Sequence, residues 1–148
     1  MNLANLLDLF FDRVLVPRAV HRELNKKNRF RYRLNKLYRS GFFIRCNTAD
    51  PINVRLLRDE LDEGESEALV QSQEQGAPFF IGDDRRARRK AELMGKKAVG
   101  TLRLLARLSL EGRAADLDKL VAILQRDLDF RVSDQVIQQA KLSAADPI

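Results

Sequence analysis

Short apolar runs, each leading into a helical pattern, constrain this chain more than any other feature. Residues 13–16 (RVLV), 42–46 (FFIRC), 79–81 (FFI) and the strand tip 98–99 (AV) are too brief for helices and too apolar for loops. Each is followed within a few residues by apolar positions at helical spacing. Strands alternating with helices argue an α/β fold, with a short parallel sheet covered on both faces in three layers. In such sheets, sites form at the carboxyl ends of the strands.

The helices fill in around those strands. Residues 2–11 carry Leu3, Leu6, Leu7 and Phe10 at helical spacing. Pro17 stands where a first helical residue tolerates proline. The helix after it places Ala19, Val20, Glu23 and Leu24 on one side, with Arg18, His21 and Arg22 facing away. Further helices are expected over residues 31–39, from Pro51 to about 61, from Gly64 to about 75, from Asp84 to 94, from a Thr101 cap to 110, and near 116–127 and 133–142. Neither repeats nor low-complexity tracts nor an interdomain linker interrupt the pattern, so one domain over residues 1–148 is expected.

Composition removes several chemistries. A single cysteine, Cys46, cannot form an internal disulfide, and a single histidine, His21, excludes every zinc pattern built on paired His or Cys ligands. His21 lies between Arg18, Arg22 and Glu23 rather than in a catalytic turn, which argues against a Ser-His-Asp hydrolase. No stretch approaches the roughly 18 apolar residues of a membrane span, so no membrane association is expected and the cytoplasm is the default location. The net charge of +6 points to a polyanionic partner, with nucleic acid first.

What is left for catalysis is carboxylates. Glu23 shares the buried side of its helix with Ala19 and Val20. Glu65 precedes Ala68 and Leu69 by three and four positions and is aimed inward by the same spacing, whereas Glu67 points elsewhere. Asp83 and Asp84 follow the strand 79–81 across one glycine, at a strand's carboxyl end. Converging carboxylates persist only if protonated, paired or bound to metal, and oxygen-only ligation suits Mg²⁺ or Mn²⁺. Structural roles compete with this reading: Glu65 complements a helix dipole, Asp84 caps the helix after it, and Thr101 is either a plain cap or a hydroxyl near the metal.

The basic residues suggest where a phosphate backbone would lie. Residues 25–45 hold Lys26, Lys27, Arg29, Arg31, Arg33, Lys36, Arg39 and Arg45 with no acid, interleaved with Phe30, Tyr32, Tyr38, Phe42 and Phe43. Cations with aromatic rings are the ingredients of single-stranded RNA binding, although Phe42 and Phe43 also suit a core. Arg85 and Arg86 adjoin the aspartate pair, where they would either neutralise it or meet phosphate.

Taken in order, VLVPRAVHREL, LDEGESEAL, FFIGDDRRAR, VGTLRLL and DLDFRVSDQVIQQA resemble the successive segments of PIN domains, in particular the VapC-like toxins and their uncharacterised relatives. The resemblance covers nearly the whole chain. It implies an α/β/α sandwich and a Mg²⁺- or Mn²⁺-dependent endoribonuclease site in which Glu23, Glu65 and Asp83 hold metal, Asp84 stands beside them as a further catalytic acid, and Thr101 supports. It also implies an RNA substrate, a small antitoxin protein as partner and a homodimer. One element departs from the family pattern: the strand ending in aspartate that should precede residues 2–11 has no counterpart, and Asp12 does not replace it. An N-terminally truncated sheet would expose two strand edges. Three outcomes are expected as alternatives: a start further upstream, a strand supplied by a partner, or closure of the remaining strands in a module that binds RNA or protein without cutting.

Overall fold

The computed structural model describes residues 3–27 and 30–148. A 3-10 helix (Leu3–Leu9) leads into β1 (Val14–Pro17) and α1 (Arg18–Lys26). Next come α2 (Arg31–Arg39), β2 (Phe43–Cys46), α3 (Pro51–Leu57) and α4 (Glu63–Glu74). The chain continues through β3 (Phe79–Ile81), α5 (Arg85–Leu93), β4 (Lys97–Val99), α6 (Thr101–Leu110), α7 (Leu117–Leu128) and α8 (Asp134–Ser143). The architecture is α/β, with short parallel strands among helices, as the alternating pattern requires.

Several local expectations shift for identifiable reasons. The leading helix is 3-10 rather than α, over seven residues with no acid in its first turn and no base in its last to steady a longer α-helix. Pro17 closes β1 instead of opening α1: its φ of −58° and ψ of 154° are extended, so the ring's fixed φ serves the junction from the strand side. Asp62, not Gly64, starts α4. Its side chain accepts from the Glu65 N–H while the Glu65 carboxylate accepts from the Asp62 N–H, a reciprocal capping box.

The strands do not form one sheet. β1 pairs only with β2, in the register Val14↔Phe43 to Pro17↔Cys46. β3 pairs only with β4, from Phe79↔Lys97 to Ile81↔Val99. Closure of the remaining strands is therefore not what the chain does: among the described residues, no ladder joins β1 to β3.

Each half-sheet has its own core. Around β1 and β2, Val16, Leu34 and Phe43 are buried, with Leu7, Val20 and Leu24 packed on them. Around β3, Leu61, Leu69, Phe80, Ala87 and Ala91 form a second cluster. A third cluster joins α6, α7 and α8 through residues such as Leu105, Leu120, Leu124 and Ile137. Helix α4 touches both β1 and β3 and so bridges the halves. Gly64 makes its approach to α1 possible, because a Cβ there would stand 3.0 Å from the Val20 Cγ2.

Candidate acidic site

The start of α4 lies beside the carboxyl ends of both β1 and β3. At β1, the backbone N–H of Ala19 donates to Glu67 Oε2 at 2.8 Å. Arg22 of α1 reaches Glu63 at 3.0 Å. Glu67, set aside as pointing elsewhere, thus satisfies an N–H that α1 leaves open, because Pro17 offers no side-chain cap.

Glu65 is the centre of the acidic group. Its carboxyl is raised above the ordinary glutamate value, first by burial and then by the charges of Asp62, Asp84 and Glu23, against a lowering hydrogen bond from the Asp62 N–H. Glu23, Glu65 and Asp84, from three separate elements, therefore share one electrostatic neighbourhood, and Asp62 joins them. Sequence reasoning missed Asp62, although an aspartate three positions before a glutamate is the capping-box signature.

The two aspartates after β3 part company. Asp83 turns to α6: Oδ1 accepts from the Thr101 N–H at 2.8 Å and Oδ2 from the Thr101 hydroxyl at 2.7 Å. Arg88 holds the same corner by donating to the carbonyls of Gly82 and Asp83 at 3.1 and 2.7 Å. Gly100 permits this packing, since a Cβ there would come within 3.1 Å of Arg88 and 3.2 Å of Asp83 Oδ1. Thr101 is not the cap of α6, as Gly100 occupies that position; its hydroxyl orients Asp83 instead. Asp84 caps α5, accepting from the Ala87 N–H at 2.9 Å, as expected of a structural role, while also contributing to the field at Glu65.

A divalent ion tests this arrangement. The donor chemistry suits Mg²⁺ or Mn²⁺, being all oxygen and mutually repulsive. The spacing does not: among the described residues, no three His, Cys, Asp or Glu side chains come together closely enough to hold a metal ion. Glu23, Glu65 and Asp83 as placed do not make the expected site.

Of the cations expected to meet RNA, Lys26 and Lys27 end α1, Arg31 and Arg33 lie on the first turn of α2, and Arg85 and Arg86 open α5; all six are exposed. Arg29 lies outside the described residues. A cluster not foreseen ties the basic segment down. His21 Nδ1 meets the Tyr38 hydroxyl at 2.8 Å, while Nε2 accepts from Asn25 Nδ2 at 2.7 Å and from Arg45 at 3.0 Å. Burial and then the Arg45 charge hold the imidazole below its ordinary value, so it is the neutral ring with its proton on Nδ1.

The chain is thus α/β, with Glu65 in the field of Glu23 and Asp84, and with exposed cations that form no ion pair among the described residues. A family model described as PIN domain matches residues 1–146, and the chain belongs to that family. PIN domains are generally nucleases that use divalent metals. No curated protein and no solved structure matches the chain. No described helix is long and apolar enough to cross a membrane.

Proposed function

We propose that this chain is the nuclease module of a PIN-type endoribonuclease, acting on RNA phosphodiester bonds. The supporting observation is the field at Glu65, to which carboxylates from α1, α4 and the end of β3 all contribute. A carboxyl raised in this way is suited to take a proton from an attacking water, because its basicity moves toward the working pH. Lys26, Lys27, Arg31, Arg33, Arg85 and Arg86 make no ion pair among the described residues and are available to the phosphates on either side of the scissile bond. Mg²⁺ or Mn²⁺ is the cofactor the resemblance implies, and because the carboxylates do not converge, no step is assigned to it.

That same lack of convergence favours a second reading, an RNA-binding module that does not cut unaided. Both are tested by one experiment. Labelled single-stranded RNA is titrated with the chain at two salt concentrations and then incubated with Mn²⁺. Binding that weakens steeply with salt is expected, with cleavage that is slow and falls at least tenfold in Glu65→Gln and Asp84→Asn. Binding with no cleavage at all selects the second reading. Cleavage unaffected by either substitution overturns the site assignment, and absence of RNA binding overturns both readings.

A further inference from the structure

Five aromatic rings lie in the acid-free basic segment 25–45, and the fold treats one of them differently. Phe30, Tyr38, Phe42 and Phe43 all turn into the cluster around β1 and β2. Tyr38 packs edge-on to Phe43 at 5.7 Å and meets His21 through its hydroxyl, while Phe42 stacks on Phe43 at 5.6 Å. Tyr32 does not follow them. It is 82% exposed, the one aromatic among the exposed large hydrophobic side chains of the described residues.

The period of α2 sets that ring at the centre of its outer face. Leu34, Leu37 and Tyr38, with Phe30 just ahead of the helix, make the inner stripe. At 3.6 residues per turn, Tyr32, Lys36 and Arg39 fall together on the opposite side, with Arg31, Arg33 and Asn35 beside them, and all six are exposed. Arg31, Arg33, Lys36 and Arg39 enter no ion pair among the described residues, and the segment has no carboxylate of its own to supply one. A lone exposed apolar side chain needs no account, but a ring in the middle of a face otherwise made of unpaired cations does.

Two classes of partner answer to cations around a ring, single-stranded nucleic acid and an anionic membrane. A helix that lies in a membrane surface turns a broad apolar face outward, whereas α2 turns its aliphatic residues inward and leaves one ring outside. An unpaired base offers its flat face to such a ring, and a paired base keeps that face inside its own stack. From Tyr32 to Arg39 the helix rises about 10 Å, room for about three nucleotides at about 3.4 Å each.

We propose that the outer face of α2 holds single-stranded RNA, with Tyr32 stacked on one unpaired base and Lys36 and Arg39 on the phosphates beside it. This role rests on the RNA reading and adds to it the selection of unpaired over paired substrate, made on α2 rather than among the carboxylates. Helix α2 packs on α1, the helix that carries Glu23.

The probe is a short fluorescein-labelled RNA in three forms: a single strand, a blunt duplex of the same sequence, and a strand of equal length built of base-free ribose phosphates, each titrated with the full chain and read by anisotropy. The wild type should bind the single strand at least about fivefold more tightly than the base-free strand, Tyr32→Ala should lose that margin together with the preference for single strand over duplex, and Tyr32→Phe should keep both. Lys36→Ala and Arg39→Ala should each lower the salt slope by about 0.7, with no change of slope in Tyr32→Ala. The chain has no tryptophan, so Tyr32→Trp provides one reporter, whose emission the single strand should quench and the base-free strand should not. Equal affinity of wild type and Tyr32→Ala for the single strand overturns the proposal and leaves the RNA reading standing, as does equal binding of the base-bearing and base-free strands by the wild type. Absence of binding to any RNA form overturns both. If Tyr32→Ala instead weakens sedimentation with phosphatidylserine vesicles and leaves RNA affinity as it was, the face serves a membrane and the proposal falls. No readout here is cleavage, so an inactive acidic centre does not decide the outcome.

Discussion

The two half-sheets solve the same problem, a parallel strand pair with a helix beyond each strand, in different ways. After β3 the contacts are local: Asp84 caps its own helix, Arg88 folds back on Gly82 and Asp83, and Asp83 binds Thr101 at the end of the neighbouring strand. After β1 the helix has no side-chain cap and borrows Glu67 and Glu63 from α4, more than forty positions away in each case. The carboxylates beyond β3 are thus placed by their own half, whereas the position of Glu23 depends on α4 holding the halves together. An acidic centre that draws on both is only as ordered as that bridge.

The largest effect expected from breaking the comparison comes from Leu69→Ala. Leu69 is fully buried on α4 against the β3 cluster, and its truncation should cost about 3 kcal/mol in denaturant unfolding. A value below about 1 kcal/mol would mean that α4 is not anchored on that half. Asp83→Ala and Glu67→Ala sharpen the contrast, each removing acceptors for backbone N–H groups and each costing about 1–2 kcal/mol. Amide exchange should separate them, with loss of protection confined to the start of α6 in the first and to α1 in the second. Identical exchange patterns would erase the distinction between the halves.

Next in size is a pH effect at Glu65. Because its folded-state value is raised, the ionised form is disfavoured in the native chain, so the stability it contributes is present below the ordinary glutamate range and lost as pH rises through the raised value. Glu65→Gln should therefore raise Tm at pH 7 and show no such gain near pH 4; a gain equal at both would sink the charge argument. Smallest is Arg22→Ala, which breaks an exposed ion pair with Glu63 and should cost less than about 1 kcal/mol, shrinking further in high salt.

Much of this was legible in the residues. Four apolar runs gave four strands in the right order, because each strand sets at least one buried apolar side chain into the interior, although Arg45 of β2 and Lys97 of β4 are exposed. Glu65 and Asp84 were legible as acids at element ends, whereas Glu23, read as sharing the buried side of its helix, is exposed in the middle of α1. Which of two adjacent aspartates turns inward was not, since Asp83 and Asp84 differ only in the partner that each finds, Thr101 or Ala87. The hydroxyl of Thr101 looked like a cap because position and residue type both suit one, yet Gly100 takes that place. The division of the strands into two pairs lies in long-range pairing, about which spacing along the chain is silent.

His21 carries a last consequence. Its Nε2 lone pair is shared by Asn25 and Arg45, and a proton arriving there must evict both. With the imidazole held below its ordinary value, the stability of this junction is present above the ordinary histidine range and drains away as acidity increases. Acid would therefore loosen the seam between α1, α2 and β2, unfastening the lysine- and arginine-bearing flank.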